Sequence, residues 1–414
     1  MPLSEWESRV CREIESRSDA LLDDLRRHVG LPTGGYNGPA IEETRGLLTD
    51  RLVALGATHE REAGDAKEAW LGSNTYVPET SVCGRRRSGV RSTLITGHMD
   101  TVHDPAGAFR ELSVAPDGKT ATGPGCVDMK GGLVIAVAAL EALEACGVGC
   151  SWTFLLNADE ETGTYHSERA MRRVSAEHDF GIALEPALAD GSLAVERMGS
   201  GQFVLVAEGR AAHVGRAFEK GVSAVTALAK AIVAAGEIPE PSRGKILSIG
   251  PVEGGVATNA VPDRARAWGN VRFRDEAVMA ELVEQVEGLA AAGDERHGSV
   301  GVLRSFNRPP KPLIPETERL ALAARSAAED LGQSLPFAST GGVCDGNIMQ
   351  DAGLPTIDTL GVRGGGLHTP DEWIELASLV ERCQLLAVLI GRISEGRVSD
   401  GRVSGEQVSG DEGG

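Results

Sequence analysis

The chain has 414 residues, too many for one ordinary domain and suited to two around a large core. Hydrophobic residues make up 41% and aromatics only 4%, so the core is expected to be aliphatic, built from Ala, Leu and Val. The formal charge of −19 argues against nucleic acid or an anionic membrane as partner, and the longest apolar stretch, residues 133–140, is too short to span a bilayer.

The first residues lack an apolar segment and a cleavage signal, so no secretory leader is expected. Cysteines at 11, 83, 126, 146, 150, 344 and 383 show no ligand-like spacing. They read as free buried thiols in a reducing, cytoplasmic setting. Residues 4–28 and 41–55 have the spacing of amphipathic helices, separated by the turn-rich stretch 32–39. A strand over 92–96 runs into Gly97-His98-Met99-Asp100. After Gly123-Pro124-Gly125 comes Asp128, and residues 131–145 read as a long apolar helix. Strands over 152–157 and 180–184 end at Asp159-Glu160-Glu161 and at Glu185-Pro186. Buried strands alternating with helices predict a mostly parallel α/β sheet, and three polar clusters fall at strand C-termini, where such sheets place their sites.

From about Glu196 the texture changes. Strands over 202–207, 245–249, 266–273 and 299–305, with helices over 221–235 and 276–292, give the order β-α-β-β-α-β of a ferredoxin-like unit. After Arg308-Pro309-Pro310 the helix–strand pattern resumes with a helix over 316–331. The expected organisation is a first domain over 1–195, an inserted domain over 196–306, completion of the first over 307–392, and a disordered tail over 393–414. A five-residue repeat beginning at Gly391 reads as a fraying helix end followed by that extension.

Each chemical motif has a plain alternative when taken alone. His98 and Asp100, two apart on an extended segment, face one side, and a ligand imidazole commonly gives its other N–H to a carboxylate. Asp128 at a loop–helix junction is equally an N-cap. Adjacent acids are usually surface charge, yet Glu160 and Glu161 end an apolar strand. One can bind metal while the other takes a proton from water. Glu185 also ends an apolar strand, and His368 lies in a Gly-rich loop where an imidazole has little packing to do. Two His and several carboxylates suit a pair of zinc or similar divalent ions. His103 and His166 lie near these motifs but read as non-ligands. Cys126 reads as a bystander, because water makes the attack.

Gly97-His98-Met99-Asp100-Thr101-Val102, the Gly123–Gly132 segment, Asp159-Glu160-Glu161-Thr162-Gly163, Leu184-Glu185-Pro186 and Leu367-His368-Thr369-Pro370-Asp371-Glu372 occur in order. Together they resemble the signatures of the co-catalytic zinc aminoacylase/carboxypeptidase family. Its members include glutamate carboxypeptidase, acetylornithine deacetylase and succinyl-diaminopimelate desuccinylase. The resemblance covers residues 10–390. It implies a mostly parallel-sheet zinc-peptidase catalytic domain with an inserted ferredoxin-like α+β lid and dimerisation domain. It also implies His98 and Glu185 on one zinc, Glu161 and His368 on the other, and Asp128 bridging them. Glu160 would be the general base activating the bridging water, and Asp100 would orient His98. His213, in Ala211-Ala212-His213-Val214-Gly215, would reach a partner subunit's site and stabilise the oxyanion. Asn259, Arg272 and, more weakly matched, Arg308 would bind the substrate carboxylate or its surroundings.

The expected cofactors are two zinc ions, with cobalt or manganese as substitutes. The expected partners are a small molecule or short peptide with a free carboxylate and a second copy of the chain. Glu at 185 and the Gly341-Gly342-Val343-Cys344-Asp345-Gly346-Asn347 stretch favour a glutamate-carboxypeptidase-like exopeptidase, although the family often has Thr or Ser where Cys344 stands. The rivals are an N-acyl-amino-acid deacylase with the same machinery, and a non-catalytic binding protein of the same fold.

Overall fold

The computed structural model describes residues 2–398. Every residue of strands Ser92–His98 and Ser151–Asn157 is buried, the pattern of parallel strands covered on both faces. They sit at the middle of a six-stranded sheet ordered Thr58–Glu62, Thr80–Arg85, Ser151–Asn157, Ser92–His98, Phe180–Ala183 and Thr356–Ile357. The last four run parallel and the first two are antiparallel additions at one edge. Helix Gly131–Ala145 is apolar nearly all round and almost wholly buried, as expected for a helix packed on every side. Helix Ala377–Ser394 lies against it, and the two share a large aliphatic core with the sheet.

The register fixes where the site can form. His98 lies opposite Asn157, and the Leu184 N–H bonds the Thr96 carbonyl. The chain segments after these three strands therefore leave the sheet side by side, carrying Asp100, Glu160, Glu161 and Glu185. A smaller four-stranded sheet, Gly364–Gly365, Trp373–Glu375, Thr120–Thr122 and Ser113–Val114, ties the His368 loop to the segment preceding Asp128.

The inserted unit has its own core around Phe203, Leu228, Val271 and Leu282. Its strands run Lys245–Gly254, Arg264–Phe273, Gly199–Glu208 and Ser299–Arg308, all antiparallel, with helices Ala224–Ala235 and Glu276–Glu287. In chain order this is the β-α-β-β-α-β sequence expected from its pattern, with longer strands. The two crossovers that connect it to the rest pair with each other through Arg197 N–H to Lys311 O (2.9 Å) and Lys311 N–H to Arg197 O (3.0 Å). Both side chains reach Asp358. Arg197 donates to its Oδ1 at 2.9 and 2.7 Å, and the Lys311 ammonium lies 3.2 Å from Oδ2 as an ion pair.

Three expectations are corrected. The single helix over 4–28 is two, Glu5–Glu15 and Ser18–Val29, because Ser16 caps the first through its hydroxyl on the Glu13 carbonyl and Arg17 leaves helical geometry. The helix expected over 276–292 ends at Glu287, where Gly288 caps it. The helix end expected at Gly391 does not fray there: Gly391, Arg392 and Ile393 are buried in the last helix, which runs to Ser394, and Arg392 is paired with Glu7 and Asp330. Residues 393–398 are thus ordered chain, and the rest of the expected disordered tail lies outside the described residues. Helices Glu168–Ser175 and Asp345–Asp351 were not anticipated.

Asp358 is fully buried between two cations. Replacing it with Ala strands both charges, so Asp358→Ala should lower unfolding stability by about 3–5 kcal/mol, read as a shifted urea midpoint. An unchanged midpoint would show that the crossovers do not depend on this pin.

Candidate metal centre

Asp128 lies in a tight loop that Gly125 makes possible. Gly125 has φ +68°, and a Cβ there would come within 2.6 Å of the Thr101 methyl. The loop is held from the far end of the sequence by Glu372, which is 1% exposed. One Glu372 oxygen accepts from the Val127 and Asp128 N–H groups at 2.9 and 3.1 Å. The other accepts from Gly125 N–H at 2.9 Å and faces His103 Nε2 at 2.6 Å. Sequence reasoning gave Glu372 no role. It stands inside the His368 motif, but nothing in the motif says that it folds back onto residues 125–128. His103 is accounted for by the same contact.

The Asp128 carboxylate faces two imidazoles. Its Oδ1 is 3.2 Å from His98 Nε2 and its Oδ2 is 3.5 Å from His368 Nε2. His368 Nε2 also lies 3.3 Å from Glu161 Oε2. Donor atoms of His98, Asp128 and Glu161 all fall within 4.8 Å of one another. The other nitrogen of His98, Nδ1, is 3.0 Å from the Asp100 carbonyl and 3.4 Å from its carboxylate Oδ1. Asp100 accepts the Glu161 N–H through Oδ2 at 3.0 Å, so one acid touches both the imidazole and the acid loop. Glu185 joins by charge, being one of the acids that raise the His98 pKa. His368 takes a left-handed φ of +63° on its Gly-rich loop, with its side chain 55% exposed, leaving the site open on that side.

The electrostatics are those of a cluster short of positive charge. Burial pushes the Glu160 carboxyl up to about 8 against the pull of Arg308. Burial, then the Glu160 charge, push Glu185 well above the carboxylate range. Burial also raises Glu161, although His368 opposes it. His98 rises well above its usual value: burial opposes its charged form, but Asp100 and Asp128 override that cost. Contacts with Asp128 and Glu161 raise His368 to about 10. Burial disfavours the Asp128 anion, yet the two imidazoles hold its carboxyl far below the usual range. Acids crowded until several resist ionisation, with one carboxylate spanning two imidazoles, fit a site for divalent cations.

The other predicted residues separate. His213 and Asn259 lie together in the inserted unit. His213 pairs with Ala260 in a short ladder, Val214 N–H bonds the Asn259 carbonyl, and His213 Nδ1 accepts from Gly215 N–H. Both are exposed. Arg272 and Arg308 are both registered opposite Ser200. Arg308 is 3% exposed and paired with Glu160 (2.9 Å) and Asp345 (3.0 Å). Asp159 serves structure, accepting from the Ser167 hydroxyl and His166 N–H. His166 itself bonds the Asp65 carbonyl rather than the cluster. Cys126 and Cys344 are buried thiols whose pKa values burial pushes far up, so both stay protonated.

Comparison with known proteins places the chain as a whole. Residues 94–392 match the family described as peptidase family M20/M25/M40. Carboxypeptidase G2 of Pseudomonas sp. (strain RS-16) is 26% identical over 376 residues, covering 90% of this chain and 88% of that protein. A succinyl-diaminopimelate desuccinylase of Methylobacterium radiotolerans is 30% identical over 379 residues, covering 85% and 91%. Among solved structures, a tripeptidase of Staphylococcus aureus superposes with TM-score 0.73 at 24% identity, covering 91% of this chain and 99% of that one. An M20 family metallo-carboxypeptidase of Sulfolobus solfataricus gives 0.70 at 15%, covering 91% and 99%. These likenesses are to the fold.

Because Glu372 orients Asp128 through the loop amides, Glu372→Gln should weaken metal binding by about 10–100-fold, measured by competition with a chelator. Wild-type metal affinity in that variant would remove Glu372 from the support of the site.

Proposed function

The chain belongs to peptidase family M20/M25/M40, and from that premise we propose that it is a dizinc amidohydrolase cleaving an amide bond beside a free carboxylate, in the manner of a glutamate carboxypeptidase. The observation that carries the reading is the Asp128 carboxylate with its two oxygens turned to two different imidazoles and Glu160 beside them. His98 and Glu185 would hold one ion, Glu161 and His368 the other, and Asp128 both. When bound, the ions supply Lewis-acid polarisation and an acidified water near neutral pH.

The remaining work belongs to the chain. Glu160, raised into the neutral range by its buried setting, takes the proton of the attacking water and returns it to the leaving amine. Asp100 fixes the ring of His98 and the acid loop together. Arg272 projects from the inserted unit with one buried guanidinium nitrogen lacking a hydrogen-bond partner, and it would receive the free carboxylate of the substrate.

His213 and Asn259 sit on an exposed edge of the inserted unit. We assign them to the active site of a second copy, with His213 stabilising the oxyanion, so that the unit serves as lid and dimer interface. The thiols among the described residues are free, which agrees with a cytoplasmic enzyme. No described helix is long and apolar enough to cross a membrane. The second reading, an N-acyl-amino-acid deacylase, is favoured by the 30% identity to a desuccinylase and uses the same residues on a small acyl group.

Metal analysis should give near two zinc ions per chain. Glu160→Gln should keep the metals and lose about 10²–10⁴-fold in turnover. Assay against dipeptides with C-terminal Glu and against N-acyl amino acids separates the two readings by the better substrate. A chain that binds no metal and cleaves neither series after zinc or cobalt addition would be a binding protein instead. A lid variant shown to be monomeric by sedimentation should keep its metals and lose turnover. Full activity in that monomer would refute the role given to His213.

A further inference from the structure

Strands Thr58–Glu62 and Thr80–Arg85 are joined by residues 63–79, a connection far longer than an antiparallel hairpin needs. A two-way contact ties it to the acid loop. Asp65 N–H donates to the His166 carbonyl at 3.0 Å, and His166 Nδ1 donates to the Asp65 carbonyl at 2.6 Å. Two residues on, Asn74 clamps the backbone of Lys67, accepting from its N–H at 3.0 Å and donating to its carbonyl at 2.8 Å. The Lys67 ammonium donates to the Tyr36 hydroxyl at 3.0 Å and lies 5.1 Å from the centre of that ring. The Thr162 hydroxyl already donates to the Asp159 carbonyl at 3.3 Å, so the Tyr36 hydroxyl donates to Thr162. A directed chain from Lys67 through Tyr36 therefore ends on the residue that follows Glu161.

The acid loop has two attachments of different origin. The inserted unit holds it through Asn307 Nδ2 on the Gly163 carbonyl (2.7 Å) and through Arg308 on Glu160. Tyr36 holds it at Thr162, from a segment whose Gly34 bridges Thr101, the residue after Asp100. Lys67 is only 8% exposed, yet among the described residues no carboxylate comes within ion-pair range of it, and its ammonium makes one hydrogen bond. Burial lowers the His166 pKa, so that imidazole adds no second charge. A buried ammonium with two idle N–H groups is costly to keep, and water screens it little. Bracing alone asks for no charge, because a neutral donor would bond Tyr36 as well. We propose that Lys67, presented on the Tyr36 hydroxyl, binds an acidic side chain on the acyl side of the scissile amide. The proposal rests on the amidohydrolase reading above. With the amine-side carboxylate received by the inserted unit, the acyl side runs past Thr162 to this ammonium.

The test uses dipeptides that share a C-terminal residue and carry Glu or Gln, or Asp or Asn, on the acyl side. Acid and amide have nearly the same shape and differ in charge. Wild type, Lys67→Met and Lys67→Arg are compared, with metal content measured throughout. Wild type should favour the acid by about 10–100-fold in kcat/KM, the size of a hydrogen bond between charged groups. Lys67→Met should lose that preference through the acid substrates alone, and Lys67→Arg should keep most of it. Equal loss on acid and amide in Lys67→Met would show a brace and not a receptor. A wild type that cleaves both members of each pair equally would overturn the proposal. Failure of the functional reading shows separately, as a metal-loaded wild type that cleaves no member of any pair. Calorimetry on metal-loaded Glu160→Gln needs no turnover: the acid should bind about 10-fold or more tightly than the amide, and adding Lys67→Met should erase the difference. Equal affinities in Glu160→Gln would refute the subsite whatever the activity.

Discussion

Glu372 joins the backbone of residues 125–128 to the loop that carries His368. That contact sets the shape of the loop from which Asp128 projects. A buried carboxylate accepting three main-chain N–H groups fixes the loop closely, because each amide would otherwise lie buried without a partner. With the loop fixed, Asp128 can show one oxygen to His98, at the end of a central strand, and the other to His368, about 240 residues further along the chain. The remaining acids are brought in by the parallel sheet, whose strands end side by side. The crowding that results is electrostatically unfavourable in itself. Burial, with the crowding added to it, pushes the carboxyls of Glu160 and Glu185 up, and such a cluster fits divalent cations.

The inserted unit is attached as deliberately as the site is built. Two crossovers could have formed a loose hinge. Instead they pair with each other and share one fully buried acid, Asp358. Arg308 extends the same attachment to Glu160 and Asp345. This network of buried charges registers the inserted unit against the acid cluster. Its cost is desolvation, offset only because each cation faces an acid at hydrogen-bond or ion-pair range.

Much of this was legible from residues alone. The apolar runs before His98, before Asp159 and before Glu185 specified buried parallel strands, and the polar residues just past them marked the edge where a site belongs. The change of texture over residues 196–306 indicated the second unit and its element order. What failed did so for local reasons. The break at Ser16 depends on one hydroxyl turning back onto a carbonyl, and the burial of Gly391–Ile393 depends on acids at positions 7 and 330 that no local pattern connects to it. The near-identical repeat units do not foretell which of them pack: Arg392 and Ile393 of the first are buried, and in the second Arg397 pairs with Glu7 while Val398 is buried in the core.

The sequence by itself determined the element order and the family and named the candidate metal donors, because these reside in short motifs whose chemistry is local. Only the tertiary structure decided who holds whom. Glu372 supports Asp128, Asp358 ties the crossovers, and Arg272 and Arg308, both Arg opposite the same serine, differ in that one is open and the other already paired. Those distinctions rest on strand register and on contacts between residues far apart in the chain. Side-chain pairing across a fold is fixed by packing and charge balance in three dimensions, which no one-dimensional pattern encodes.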